Sequence, residues 1–388
     1  MKALTRFMPA AAVAVALAGI AAPSASAATS ASAVREAAPE GGAATQAGAV
    51  FVQTDNVAGN SIVAYRRAAD GTLTQAGTYP TGGNGGILAG SVVDHLASQG
   101  SLNYDSGTGL LFAVNAGSDT VSVFGAYGDH LVLRQVISSG GSFPVSVTVH
   151  GDLVYVLNAL DGGSVTGYRI FGGALIPIPG STRALGLGTT ASSAFTSDPG
   201  QVAFTPDGTR LLVTTKANGN DVYVYAVRFD GRLSDALVVN PQPGAVPFAI
   251  SYDRFGHVLI AEAGTNAVAS FALGWSGHLT SLSTALTGQA GTCWIARDGQ
   301  YFYASNAGSG SVSGYTAGYD GGLTALGNTA TDAGTVDATG ADNGRFLYVQ
   351  TGAAGTVDEY SVGSGGSLTE VGSVTVPGAA GGEGIAAS

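Results

Sequence analysis

The sequence predicts an all-β chain, a seven-bladed β-propeller with four-stranded blades, and three observations carry that prediction. A short apolar strand, a small polar turn and a second apolar strand recur as a unit seven times. Seven further apolar segments precede or follow these units at spacings of 43 to 56 residues, near the period of a four-stranded blade. The chain ends are unequal in a complementary way. The first unit lacks a preceding segment, and the last segment has no unit after it.

The seven units span Ala49–Arg67, Leu110–Phe124, Leu153–Ile170, Leu211–Val227, Val258–Leu273, Tyr301–Ala317 and Phe346–Val362. A unit this short cannot bury its apolar face alone, so it must stack on neighbours. The segments read as innermost strands begin near Ser101, Val145, Gln201, Phe248, Cys293, Val336 and Gly384. Turns such as Pro206-Asp207-Gly208 and Arg297-Asp298-Gly299 lead from first to second strands. A second set, Asp70-Gly71, Asp230-Gly231 and Gly321-Gly322, joins third to fourth strands. Asp-Gly suits the positive backbone angles of hairpin turns. Pairing Gly384–Ser388 with the first unit would close the ring and remove two sheet edges that otherwise invite aggregation.

Residues 1–27 read as a signal peptide. Lys2 and Arg6 form a basic start, residues 10–22 an apolar stretch, and Ala25-Ser26-Ala27 a small-residue cleavage site. Residues 28–48 are rich in Ala, Gly, Ser and Thr and read as a flexible leader, with the propeller at 49–388. The chain is therefore expected to be secreted, with no membrane insertion. Loss of Lys2 and Arg6 takes the formal charge from −11 to −13, which argues against nucleic acid and anionic membranes. Cys293 is the single cysteine, so stability must come without an intramolecular disulfide. Five scattered histidines give no metal-ligand pattern, and no metal or cofactor is expected. A Gly-x-Ser-x-Gly elbow is absent.

In a propeller, loops leaving second strands and loops entering first strands share one face. The first set brings Asp55, Asn115, Asn158, Lys216, Glu262, Asn306 and Thr351 there. The second brings Gln99, Pro144, Gln201, Phe248, Trp294, Asp337 and Glu383. Glu262 and Lys216 fall at matched positions on neighbouring blades. They read either as catalytic partners or as an ion pair between blades. Gln99, Asn115, Asn158, Gln201, Asn306 and Trp294 are candidate ligand contacts, the asparagines being equally suited to satisfying strand ends. His95 lies in a long connection that could overhang the funnel. Cys293 reads as a core cysteine, without a basic neighbour to activate it. Residues 81–99 and 181–199 are expected to form a rim over the site.

Phe204-Thr205-Pro206-Asp207-Gly208, Val114-Asn115-Ala116-Gly117 and Ser305-Asn306-Ala307-Gly308 are features of a known group. In them the chain resembles the seven-bladed lactonase-like propellers, which include propeller-type 6-phosphogluconolactonase and carboxymuconate cyclase. The resemblance covers Ala49–Ser388 and implies chemistry at a Pro-His, an Arg-His and an Asn-Glu. Those places read Pro144-Val145, Gly200-Gln201 and Thr215-Lys216 here. Loss of the titrating groups removes the implied mechanism. Three readings therefore stand open. One is a lactone hydrolase or cyclase with Glu262 as acid/base and Lys216 orienting an anion. The second is a non-catalytic propeller binding a small metabolite, a glycan or a protein partner. The third is a structural or adhesion role on the cell surface.

Overall fold

The computed structural model describes residues 48–188 and 194–388, so the expected signal peptide and nearly all of the expected leader lie outside the described residues. Seven antiparallel sheets follow one another around a central axis. Blade 2, for example, consists of Leu102–Asp105, Leu110–Asn115, Thr120–Tyr127 and His130–Ser138, from the axis outward. Innermost strands begin at Leu102, Pro144, Val202, Pro247, Thr292 and Thr335, each within one residue of the start expected from the sequence. Blade 3 departs from the plan. Its outermost strand is the short Ala174–Pro177, and Arg183–Ala184 adds a second piece on the same edge.

The ring closes as the unequal ends predict. Ile385–Ala387 pairs antiparallel with Ala49–Gln53 and supplies the innermost strand of blade 1. Backbone bonds Gln53 N→Gly384 O (2.9 Å) and Ser388 N→Ala49 O (2.9 Å) flank this short strand. Ile385 and Ala386 are both buried.

Second strands are buried on both faces, as in Phe346–Thr351, because each blade packs between two others. Side chains then lock blade to blade. Tyr155, Tyr303 and Tyr348 each donate a hydroxyl to a turn carbonyl of the following blade: Gly231 (2.8 Å), Gly366 (3.0 Å) and Gly71 (2.6 Å). Ser270 and Asn240 do the same to Gly321 and Gly277. In the reverse direction Tyr168, Tyr360 and Tyr65 donate to the last carbonyls of the preceding outer strands. Each bond contributes about 1 kcal/mol net, and a turn carbonyl left unpaired would cost more.

Deletion of residues 382–388 removes the closing strand and the burial of Ile385 and Ala386. The expected cost is ~4 kcal/mol, or a fall of about 6 °C in Tm, far beyond what a loose terminus contributes. Thermal unfolding of the shortened chain checks this, and an unchanged Tm contradicts ring closure.

Candidate functional site

Bulges set the channel mouth. The innermost strands of blades 3, 5, 6 and 7 shift register at their first residues, between Pro144 and Ser146, Pro247 and Ala249, Thr292 and Trp294, and Thr335 and Ala338. A bulge re-aims side chains that the ladder would otherwise fix. Phe248 and Cys293, two residues released this way, line a cavity of about 220 Å³ at the mouth of the channel. Lys216, Asp94, Trp294 and Phe195 complete its working surface, and Val92, Val93 and Val246 add apolar wall.

The connection after blade 1 does more than form a rim. Residues 93–100 run into the mouth and plug it, with Asp94, Leu96, Ala97 and Ser98 all buried. Several polar groups of the plug meet partners on different blades. Trp294 Nε1 donates to Ser98 O (2.6 Å), and Ser98 Oγ donates to Val145 O (2.8 Å). Gln99 lies against blade 6 like a short strand, its Nε2 donating to Ile295 O and its Oε1 accepting from Ile295 N, both at 2.9 Å. Gly100 N donates to Glu383 Oε1 (3.0 Å) and Val147 N to Gly100 O (2.8 Å). A Cβ on Gly352 would strike the Val93 carbonyl, and one on Gly381 would strike the His95 ring. Only glycine admits so close an approach.

Lys216 is the cation of this site. It sits in the left-handed region (φ 51°) directly after the second strand of blade 4. Its ammonium donates to Ala97 O (2.7 Å) on the plug and Phe195 O (2.8 Å), and lies 5.4 Å from the Phe248 ring centre. Burial pulls its pKa down to about 8, with Asp198 and Asp94 opposing the fall. Asp94 accepts from the backbone N–H groups of Leu96 (2.8 Å) and Ser98 (2.9 Å), and burial raises it to about 6 against those bonds and Lys216. Asp198 is buried with neither carboxylate oxygen hydrogen-bonded, and burial raises it to about 6 as well. Burial pushes the Cys293 thiol up to about 12, so it stays protonated.

The expected pairing of Lys216 with Glu262 is corrected. Glu262 faces Ala267 in the hairpin ladder, as Asn115 faces Thr120. In blade 4 the residue so placed is Thr215, whose N–H donates to Asp221 O (3.1 Å), because that hairpin holds one extra residue. Lys216 therefore turns toward the plug. Glu262 accepts from Thr265 Oγ1 (2.9 Å), lies outside the cavity lining, and forms no ion pair among the described residues. Burial raises its pKa and the Thr265 bond lowers it.

Of the other candidates, Trp294 lines the cavity and packs edge-on to Phe248 (5.1 Å). The asparagines serve the hairpins. Asn115 bonds Ser122 (2.8 Å) and Asn60 (3.1 Å), Asn306 bonds Thr292 (2.6 Å) and Ser313 (2.9 Å), and Asn158 donates to Ser139 O. Gln201 Oε1 accepts from Ile250 N at an inner-strand edge. His95 is half-buried, its Nδ1 unpartnered and its pKa lowered by burial. Asp94, Asp198 and Phe195 were missed, because they lie in connections with no periodicity to place them. Of the expected rim, residues 189–193 lie outside the described residues.

Behind the plug lies a second group. Asp55 accepts from Glu383 N (2.7 Å), and the carboxyls of Asp337 and Glu383 lie close enough to repel one another. Burial raises Asp55 to about 8 and Asp337 to about 7, and lifts Glu383 well above the usual range. These carboxyls keep protons that the unfolded chain releases near pH 4. The folded state thus binds more protons, and stability falls as pH rises from about 4 to about 8. Lys216 acts oppositely, but only above about 8. Asp55→Asn and Asp337→Asn should therefore flatten the decline of Tm between pH 5 and pH 8. A decline as steep as that of the unaltered chain in both variants would contradict the assignment.

No protein-family model matches the chain, and no curated protein matches it in sequence. Solved structures do match. A Bacteroides fragilis protein proposed to be a 6-phosphogluconolactonase superposes with a TM-score of 0.70 at 18% identity, covering 90% of this chain and 100% of its own. A Lactobacillus plantarum protein gives 0.70 at 21%, covering 89% and 100%. The periplasmic gluconolactonase of Pseudomonas aeruginosa gives 0.68 at 18%, covering 88% and 98%. The chain is a seven-bladed propeller that shares its fold with these proteins, one of them a gluconolactonase and another proposed to be a 6-phosphogluconolactonase.

Proposed function

We propose that the cavity binds and opens a neutral, predominantly apolar lactone. The observation that carries this reading is the buried Lys216 ammonium at the cavity wall beside Asp94, with two of its three N–H groups held by carbonyls. The remaining N–H stabilises the oxyanion that forms when water attacks the ester carbonyl. Asp94 takes the proton from that water. Collapse of the tetrahedral intermediate breaks the ring C–O bond, and the leaving alkoxide recovers the proton from Asp94. The product is a hydroxy acid, which ionises to a hydroxycarboxylate and releases one proton to solvent. Near pH 7 the site combines one cation with two carboxylates, which suits a neutral substrate and repels an anionic product. Walls of Phe195, Phe248, Trp294 and valine offer a polyol few partners, so an alkyl lactone suits the cavity better than a sugar lactone.

Export of the chain belongs to the same reading. It is supported by Lys2, Arg6 and the apolar stretch before Ala25-Ser26-Ala27. Among the described residues no helix is long and apolar enough to cross a membrane.

A second reading, binding without turnover, draws on the fact that Lys216 and Asp94 already hold the plug through backbone groups. Acid release from alkyl and sugar lactones at constant pH separates the two. Hydrolysis should rise as Asp94 ionises through about 6 and fall as Lys216 loses its proton through about 8. Asp94→Asn and Lys216→Met should each reduce kcat/KM by at least about a hundredfold, and Glu262→Gln by less than about threefold. Lactones that raise Tm without being opened favour the binding reading.

A further inference from the structure

The opposite face carries a feature that the lactone site does not use. A leucine lies at or next to the first position of each outermost strand: Leu73, Leu131, Leu175, Leu233, Leu279, Leu323 and Leu368. Four residues before it, at the tip of the hairpin, blades 2 to 6 place Tyr127, Phe171, Phe229, Trp275 and Tyr319. These side chains are 59%, 75%, 100%, 94% and 82% exposed. Blades 1 and 7, on either side of the ring closure, have Ala69 and Ser364 instead. Five aromatic tips in register thus form an open crescent, on a chain whose aromatic residues are otherwise largely buried.

The tips are held rigidly. The turn carbonyls of Gly231, Gly277 and Gly321, beside Phe229, Trp275 and Tyr319, accept from Tyr155, Asn240 and Ser270 of the preceding blades. Arg210 donates to the Trp275 carbonyl at 2.8 Å. Rings presented on fixed turns lose little freedom when they bind.

Between the tips lie clefts in which charged and polar side chains stand beside apolar ones such as Ile176, Ile178 and Leu273. One, of about 280 Å³, sets Asp207, Thr209 and Arg210 beside Trp275. Another, of about 390 Å³ between blades 3 and 4, holds Arg169, Asp230 and Arg232. Four of the guanidinium groups are paired with carboxylates in place. Arg66 pairs with Asp129 (2.7 Å), Arg232 with Asp230 (2.8 Å), Arg228 with Asp235 (2.8 Å), and Arg169 with Asp152. Among the described residues Arg210, Arg254 and Arg297 form no ion pair, yet each shares a cleft with a carboxylate (Asp207, Asp253 or Asp298), so this face has no unmixed positive patch for a polyanion or an anionic lipid surface. It instead offers fixed donors and acceptors side by side, the complement of a vicinal diol, alternating with planar rings that stack on a sugar face.

We propose that this crescent is a docking surface for a neutral polysaccharide, laid across blades 2 to 6 with the aromatic tips meeting sugars spaced at intervals along the polymer. The site is separate from the lactone cavity and independent of its chemistry.

Retention of the full chain on insoluble cellulose, chitin, starch and mannan tests this. Trp275 emission serves as a second reading, because the only other tryptophan, Trp294, is buried. Retention is expected on at least one polymer, with soluble oligosaccharides of that polymer shielding Trp275 from acrylamide quenching. Trp275→Ser should weaken binding at least about tenfold. The combination Phe229→Ser, Trp275→Ser and Tyr319→Ser should abolish it while leaving Tm unchanged, since the replaced side chains are exposed. Failure to bind any of the four polymers overturns the proposal, as does binding that survives the triple substitution. Capture by lipid vesicles, or self-association, that the triple substitution removes would assign the crescent to those partners and overturn it as well.

Discussion

The constraint on which the rest of this molecule depends is the filling of its axis. A propeller leaves the edges of its innermost strands facing a channel, and buried backbone groups there must find partners. This chain inserts a segment of its own backbone, which adds more polar groups to satisfy. The solution is a set of side chains drawn from around the ring. Lys216 and Trp294 donate to carbonyls of the plug, Gln99 bonds a strand of blade 6, and Glu383 receives the N–H of Gly100. Ser146, Thr148 and Gln201 do the same service for neighbouring inner-strand amides without the plug.

Plug and closure are coupled through this arrangement. Glu383 stands just before the closing strand Ile385–Ala387, holds the plug through its side chain, and binds Asp55 of blade 1 through its N–H. Packing Asp55, Asp337 and Glu383 together out of water is possible only because burial and mutual repulsion keep protons on them. The same burial, acting on Lys216 and Asp94, gives an amine and a carboxylate that titrate on either side of neutrality. A structural necessity thus leaves groups of catalytic character at the bottom of an apolar cavity.

The fold was legible in the sequence because each blade repeats the same physics: apolar strands two sheets deep, turns requiring positive backbone angles, and unequal ends that complement one another. Strand starts could be placed within a residue from those patterns. The cavity was less legible. Lys216 and Trp294 could be brought to the correct face by counting positions. Matching Lys216 to Glu262 failed, because the hairpin of blade 4 carries one residue more, and only the ladder reveals that Thr215 holds the matched place. Asp94 and Asp198 come from connections without periodicity, and nothing in their spacing marks them as neighbours of Lys216. The asparagines suggested ligand contacts by recurring, yet recurrence reflected a hairpin need common to several blades.

The central claim is that residues 93–100 are interior, fixed by the Lys216 ammonium, rather than a loop lying over the mouth. Hydrogen exchange of the backbone amides in this segment measures that most directly. The account predicts protection comparable to the inner strands in the unaltered chain, and at least about tenfold faster exchange of this segment alone in Lys216→Met, the outer blades being unaffected. Exchange of residues 93–100 at the rate of an exposed loop in the unaltered chain would contradict it.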